Sequence, residues 1–296
     1  MGKKPLKKVV LLLLSLVLVA PQLLSAQDFF IGMKGGANFT SALVSGNHSV
    51  FNYTSQSKVP EGFDRKYDGQ FDGKIGTQFG FLVQMETRSG LGFSFEPSYA
   101  TYKFGYENSY SWQHPELADQ FVEMTFRHDH RLNYMELPLF VKFNFLKGVV
   151  SPYIQGGGFY NFLIDAGKTV TQTRMDAAAG GLQELTGDNN EVGITNLLHD
   201  NTFGLAASGG ISINTAFVRI SLECSYRHFM KNITNPNARY SDARSSMLSF
   251  DVMDDISFQS LQFSMTALFP LSFMHTPGNG SKGKKTVVPY DMRRMK

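Results

Sequence analysis

Two histidines two residues apart, His128 and His130, flank Asp129 and precede Arg131. On a strand, residues at i and i+2 share a face. The pair could therefore offer two imidazoles to one metal ion, or join Asp129 in an aspartate–histidine couple that moves protons. Such a centre needs further ligands that sequence does not place, and the plainer reading is a hydrophilic continuation of a strand. Ser225, Arg227 and His228 form a second grouping with the residue types of a nucleophile and its base. Alternation sends Ser225 and Arg227 to one face and His228 to the other, so a direct couple would need a bulge. Gly156-Gly157-Gly158 and Gly180-Gly181 lack the Lys-Ser/Thr or strand-to-helix context of a phosphate loop. No catalytic residue, cofactor or metal site is assigned, and the chain is expected not to be an enzyme.

The charges that recur with a period of two are more informative. Eight stretches alternate between apolar and polar residues, and across all eight the apolar set contains no Asp, Glu, Lys or Arg. In Lys74–Glu86 one parity gives Thr77, Phe79, Phe81, Val83 and Met85, while the other gives Gly76, Gln78, Gly80, Gln84 and Glu86, broken only by Leu82. The period of two sends the sets to opposite faces. Runs of roughly ten residues match a tilted crossing of a hydrocarbon core, whereas soluble strands average about five or six. The apolar face then meets lipid and the polar face lines an interior. That interior set contains Lys34, Lys142, Arg219 and Arg227 against Glu86, Glu96, Glu136 and Glu223. Eight strands leave room only for side chains. An unpaired charge there would be costly, so these eight residues are expected to form a linked ion-pair network that plugs the barrel.

The elements that must position these residues follow from the same alternation. Strands are expected near 29–40, 74–86, 91–99, 135–145, 154–162, 203–213, 218–226 and 261–269, in an all-β, eight-stranded, antiparallel up-and-down transmembrane barrel. The polar stretches near 41–73, 107–129, 165–200 and 230–255 read as long outer loops, and the intervening connections as short turns. An even count puts both ends in the periplasm. Pro97 and Pro138 interrupt the pattern, and a bulge or local break is expected at each. Tyr99, Tyr102, Phe104, Tyr106, Tyr160, Phe162, Tyr226 and Phe229 read as an outer aromatic girdle. Phe143, Phe145, Phe217, Phe269 and Phe273 read as the inner one.

Residues 1–26 carry Lys3, Lys4, Lys7 and Lys8, an apolar run from Val9 to Ala20, and Leu24-Ser25-Ala26, the pattern of a cleaved secretory signal peptide. The barrel occupies 27–273, and 274–296 forms a basic tail expected to be flexible on the periplasmic side. A net charge of +3 is too small to argue for nucleic acid. The single cysteine, Cys224, falls on the apolar face of its strand.

Three segments also resemble a known family: Gly32-Met33-Lys34-Gly35-Gly36-Ala37-Asn38, then Tyr134-Met135-Glu136-Leu137-Pro138-Leu139-Phe140-Val141-Lys142, then Pro152-Tyr153-Ile154-Gln155-Gly156-Gly157-Gly158. They resemble the PorT-like outer-membrane β-barrel family, in which G-x-K-x-G-x-N and Y-x-E-x-P-x-x-x-K followed by P-Y-x-x-G-G recur. The resemblance implies a small barrel in the outer membrane of a Gram-negative bacterium, and a namesake takes part in type IX secretion. The expected role is a scaffold or accessory subunit of an envelope or secretion assembly, in contact with outer-membrane lipid and a protein partner. Trp112, Lys282, Lys284, Lys285, Arg293 and Arg294 are the candidate partner contacts. The alternatives are a rim enzyme acting on lipid or peptide, centred on His128, Asp129 and His130, and a small pore.

Overall fold

Alternation of this kind builds strands with one wet and one apolar face, and the chain folds into one antiparallel sheet. The computed structural model describes residues 27–48, 64–66, 72–87, 89–113, 121–176, 183–186, 190–215, 217–241 and 251–271. The strands are β1 (Gln27–Gly46), β2 (Asp64–Lys66), β3 (Asp72–Thr87), β4 (Leu91–Phe95), β5 (Ser98–Gln113), β6 (Phe121–Asn144), β7 (Val150–Asp176), β8 (Gln183–Thr186), β9 (Asn190–Gly193), β10 (Asn201–Asn214), β11 (Arg219–Phe229) and β12 (Asp255–Pro270). A 3-10 turn covers Thr195–Leu197. Residues 1–26, read above as a signal peptide, Phe273 and residues 274–296 lie outside the described residues.

Pairing runs in a closed circuit. β1 bonds β3, β3 bonds β4 and β5, both of these bond β6, and the sheet continues through β7, β10, β11 and β12 back to β1. Closure leaves no strand edge within the lipid. β4 and β5 are one crossing, because the register is unchanged between them: Val83 pairs Phe95 and Gly80 pairs Ser98. The break falls at Glu96-Pro97, where proline lacks a donor. Its carbonyl still accepts from the Phe81 N–H at 2.9 Å. At Pro138, by contrast, β6 continues without interruption, its carbonyl accepting from the Glu96 N–H at 3.2 Å. The expected break at Pro138 is therefore absent. Facing strands supply the circuit there, and the break in β4/β5 sits opposite it. Counting β4 and β5 together, the circuit has eight crossings, with β2, β8 and β9 added outside it.

The short connections are tight turns. At the β3–β4 turn Gly90 has φ +91, a conformation that side chains rarely adopt, and a Cβ there would stand 2.8 Å from the Asn144 carbonyl oxygen. Thr87 closes the turn by donating from its hydroxyl to the Leu91 carbonyl at 2.8 Å.

The long connections depart from the expectation. Much of 107–129 and 165–176 is strand, not loop: β5, β6 and β7 continue well past the apolar belt and pair with one another throughout. The reason is a change of phase in what each face carries. In the belt the outward residues are apolar, as in Tyr99, Met135 and Phe162. Beyond it the inward residues become apolar, as in Tyr102, Phe104, Tyr106, Leu132 and Ala166, while the outward ones become polar. Strand period persists, but the inside–outside assignment of hydrophobicity inverts once water, not lipid, surrounds the sheet.

This extension forms a crown with its own core. Tyr102 meets Phe229 and Phe104 meets Phe258 edge to face, with centroids 5.4 Å and 5.2 Å apart, and Tyr102 stacks on Phe258 at 6.1 Å. Ile194, Leu197, Leu198, Ile233 and Met253 pack against them from the connecting segments, and Ile256 from the start of β12. Tyr102, Phe104, Tyr106 and Phe229 are thus core residues, a correction to the outer girdle. Tyr99, Tyr160, Phe162 and Tyr226 do face outward, as do Phe143, Phe145, Phe217 and Phe269 at the opposite end.

Candidate functional site

The inward parity of the eight crossings converges on a charged interior. Lys34, Glu86, Glu96, Glu136, Lys142, Arg219, Glu223 and Arg227 are all buried. Their partners stack in three tiers along the barrel axis.

Nearest the short turns, Arg219 Nη1 donates to Glu86 Oε1 at 2.6 Å, and Asn144 donates to the same oxygen at 3.0 Å. Gln84 joins Glu86 to Lys142, whose ammonium reaches Gln84 Oε1 at 3.4 Å and lies 3.7 Å from the centre of the Tyr153 ring. The middle tier is a cation shared by two carboxylates: Lys34 Nζ donates to Glu96 Oε2 at 2.7 Å and to Glu223 Oε1 at 2.8 Å. Tyr153 and Gln155 each donate to Glu223 Oε2 at 2.9 Å, and Ser94 donates to Glu96 at 2.9 Å. The Tyr153 ring fits because Gly210 faces it; a Cβ there would sit 2.7 Å from the Tyr153 hydroxyl. In the upper tier Arg227 Nη1 donates to Glu136 Oε2 at 2.5 Å, and both side chains are 0% exposed. The Tyr102 hydroxyl donates to the other Glu136 oxygen, linking the charges to the aromatic core above.

Seven of the eight residues thus make direct ion pairs, and Lys142 is joined through Gln84. Four cations face four carboxylates, so the interior carries no formal surplus. At the end near the turns Phe30, Leu82 and Leu268 close an apolar plug, which explains the one apolar residue on the inward parity of β3.

Beyond the aromatic core is a second buried polar group that sequence reasoning missed. Asp251 accepts from Lys168 Nζ at 2.7 Å, from the Tyr106 hydroxyl at 2.6 Å and from Asn108 Nδ2 at 3.2 Å. Lys168 and Asn108 lie in stretches read as loop, and only recognition that strand parity continues past the belt would have put them inside. At the rim of the crown Asp255 accepts from Asn232 at 2.9 Å and contacts His48 at 3.1 Å, while Arg239 pairs with it. Burial raises the Asp255 carboxyl, but the hydrogen bonds from His48 and Asn232 and the charge of Arg239 outweigh it and hold the group below the ordinary carboxylate range.

His128 and His130 are also inside the crown, both buried. The His130 ring stacks on Phe104 with centroids 4.5 Å apart, and His128 lies 4.9 Å from Tyr106. Asp129 faces outward, where Lys74 reaches it at 2.5 Å. An exposed rim centre using all three residues is therefore not assembled. Among the described residues no group of three or more His, Cys, Asp or Glu could hold a metal. Ser225 is buried and His228 exposed, so they stand on opposite faces. Cys224 is exposed on the apolar face. Trp112 belongs to β5, paired with Val122, and not to a loop. Lys282, Lys284, Lys285, Arg293 and Arg294 lie outside the described residues.

A closed antiparallel circuit with apolar side chains outward and a balanced charged interior is a membrane barrel, and comparison with known proteins supplies the family. The outer membrane protein beta-barrel domain family matches residues 25–235. The chain belongs to this family. As an outer-membrane barrel it is similar to solved structures of low identity. Ail, the attachment invasion locus protein of Yersinia pestis, solved in complex with the heparin analogue sucrose octasulfate, is 11% identical over 82% of this chain and 99% of that one, with a TM-score of 0.28. Neisserial surface protein A is 10% identical over 80% and 95%, with a TM-score of 0.30. The outer membrane protease OmpT from Escherichia coli is 11% identical over 82% and 95%, with a TM-score of 0.25. No curated protein matches the chain in sequence.

Proposed function

We propose that this outer-membrane barrel is a non-enzymatic scaffold or accessory subunit of an envelope or protein-secretion assembly, with its crown on the cell exterior and both termini in the periplasm. One observation carries the reading: the interior is filled by three tiers of paired charges roofed by an aromatic core, which leaves the crown and its connections as the surface for recognition. The PorT-like motifs support a secretion-related role, because the charged residues within them, Lys34, Glu136 and Lys142, are three members of the interior network. A small barrel whose interior charges balance and are linked into one network is built for rigidity, not for passage.

The test is co-purification. The mature protein, with and without residues 274–296, is isolated from outer membranes in mild detergent and its companions identified. Stoichiometric recovery of an envelope or secretion complex supports the reading, and loss on truncation assigns the contact to the tail. Recovery of a solitary barrel under conditions that preserve other outer-membrane complexes overturns it.

A further inference from the structure

The outer face of β3, β5, β6 and β7 changes chemistry rung by rung, and register defines each rung. Phe79, Tyr99, Met135 and Phe162 pair across the four strands and end the apolar belt. The next rung is polar and ends in a carboxylate: Thr77, Thr101, Asn133 and, at its far end, Asp165, with the buried Thr101 donating to the buried Asn133 at 2.9 Å. Then come Lys74, Lys103 and Arg131, directly opposite one another, with Gly167 beside them on β7. Beyond them Asp129 and the Glu107–Arg127 pair restore acidic charge.

Like charges placed opposite each other destabilise a sheet. Here the three cations are not equivalent. Lys74 leans over Gly105, which has no side chain to obstruct it, and pairs with Asp129 at 2.5 Å. Lys103 and Arg131 make no ion pair among the described residues, although Arg131 is exposed and Glu191 on β9 comes near Gly167. Two adjacent outward cations that make no ion pair among the described residues therefore stand one polar rung past the apolar belt. Four residues of strand span on the order of 13 Å, less along a tilted axis, so this row lies where lipid headgroups begin.

We infer that Lys103 and Arg131 form a binding site for a phosphate of a phosphorylated glycolipid in the outer leaflet. The fork of the Arg131 guanidinium and the point charge of Lys103 can share one phosphate, relieving their mutual repulsion. The outer-leaflet assignment rests on the proposed orientation, whereas recognition of the phosphate does not.

The probe is lipid A, intact and with its phosphates removed, added to the full mature protein in detergent and read by native mass spectrometry. Intact lipid A is expected to bind. Removing the phosphates, or making Lys103→Gln with Arg131→Gln, should weaken binding at least about tenfold, as losing a charge-assisted contact implies. Arg131→Lys should retain part of the affinity, and Arg127→Gln, which removes a cation with its own local carboxylate, should change nothing. Heat-modifiable gel mobility shows whether each variant is folded. Equal binding of dephosphorylated lipid, or equal loss in all cation variants, overturns the site. Orientation is read separately: Glu191→Cys in a Cys224→Ser background, labelled on intact cells by an impermeant maleimide, fails if the crown faces inward, whatever the lipid result.

Discussion

At the scale of single residues, the barrel interior concentrates its consequence in Arg227 and Glu136. A buried pair is a weak argument for net stability, because two desolvation penalties oppose one attraction. Losing one member is a different matter, since the survivor keeps its penalty without its partner. Arg227→Met should destabilise the barrel by about 3–5 kcal/mol in denaturant unfolding from detergent micelles. Replacing both members by apolar residues, Arg227→Met with Glu136→Leu, should recover most of that loss. If the single and double variants unfold alike, the pair does not act as a unit. Backbone geometry has a similar single point of failure: Gly90→Ala meets the Asn144 carbonyl at 2.8 Å and a positive φ, and should cost about 1 kcal/mol or more in the same measurement.

The elements were legible to different degrees, for reasons visible in particular residues. Each crossing was readable where the outward face is apolar, as in Phe79, Phe81 and Val83. Strand character beyond the belt was not, because Thr101, Lys103, Glu107, Arg127 and Arg131 look like loop when the reader expects lipid on that side. The signal was nevertheless present: Tyr102, Phe104, Tyr106 and Leu132 keep the inward parity of their strands. Parity alone puts the charged set on the inward face, but it says nothing of partners. That Lys34 bridges Glu96 and Glu223, residues from separate strands, depends on register between elements far apart in sequence. At the rim, Asp255 joins the end of β1 to the segment after β11 through His48, Arg239 and Asn232. Its depressed carboxyl pKa means that this contribution is fully present above the ordinary carboxylate range and is lost as pH falls through the lower folded value. Limited proteolysis of the 230–241 segment should therefore stay slow at mildly acidic pH and accelerate only under stronger acid. Asp255→Asn should make it fast at neutral pH.

For the molecule as a whole, a balanced interior with a roofed mouth predicts the absence of steady current. Planar-bilayer recordings of the purified protein should show no stable single-channel conductance, and a reproducible open level would mean that the tiers part to admit water. On the proposed reading recognition falls to the crown, where the rungs of β3, β5, β6 and β7 pass from apolar through polar to cationic within a short height.

What the sequence by itself determined is the pattern tied to a period of two: the number of crossings, the lipid-facing set from Ile31 to Phe269, and the parity of eight interior charges. These depend on local alternation, which every strand repeats independently of its neighbours. Only the tertiary structure decided which charges pair, that β5, β6 and β7 rise beyond the belt as a crown with its own aromatic core, and that Asp251 and Lys168 meet inside it. Those outcomes require two things that no local pattern contains: the register between distant strands, and the height at which lipid gives way to water and the apolar face turns inward.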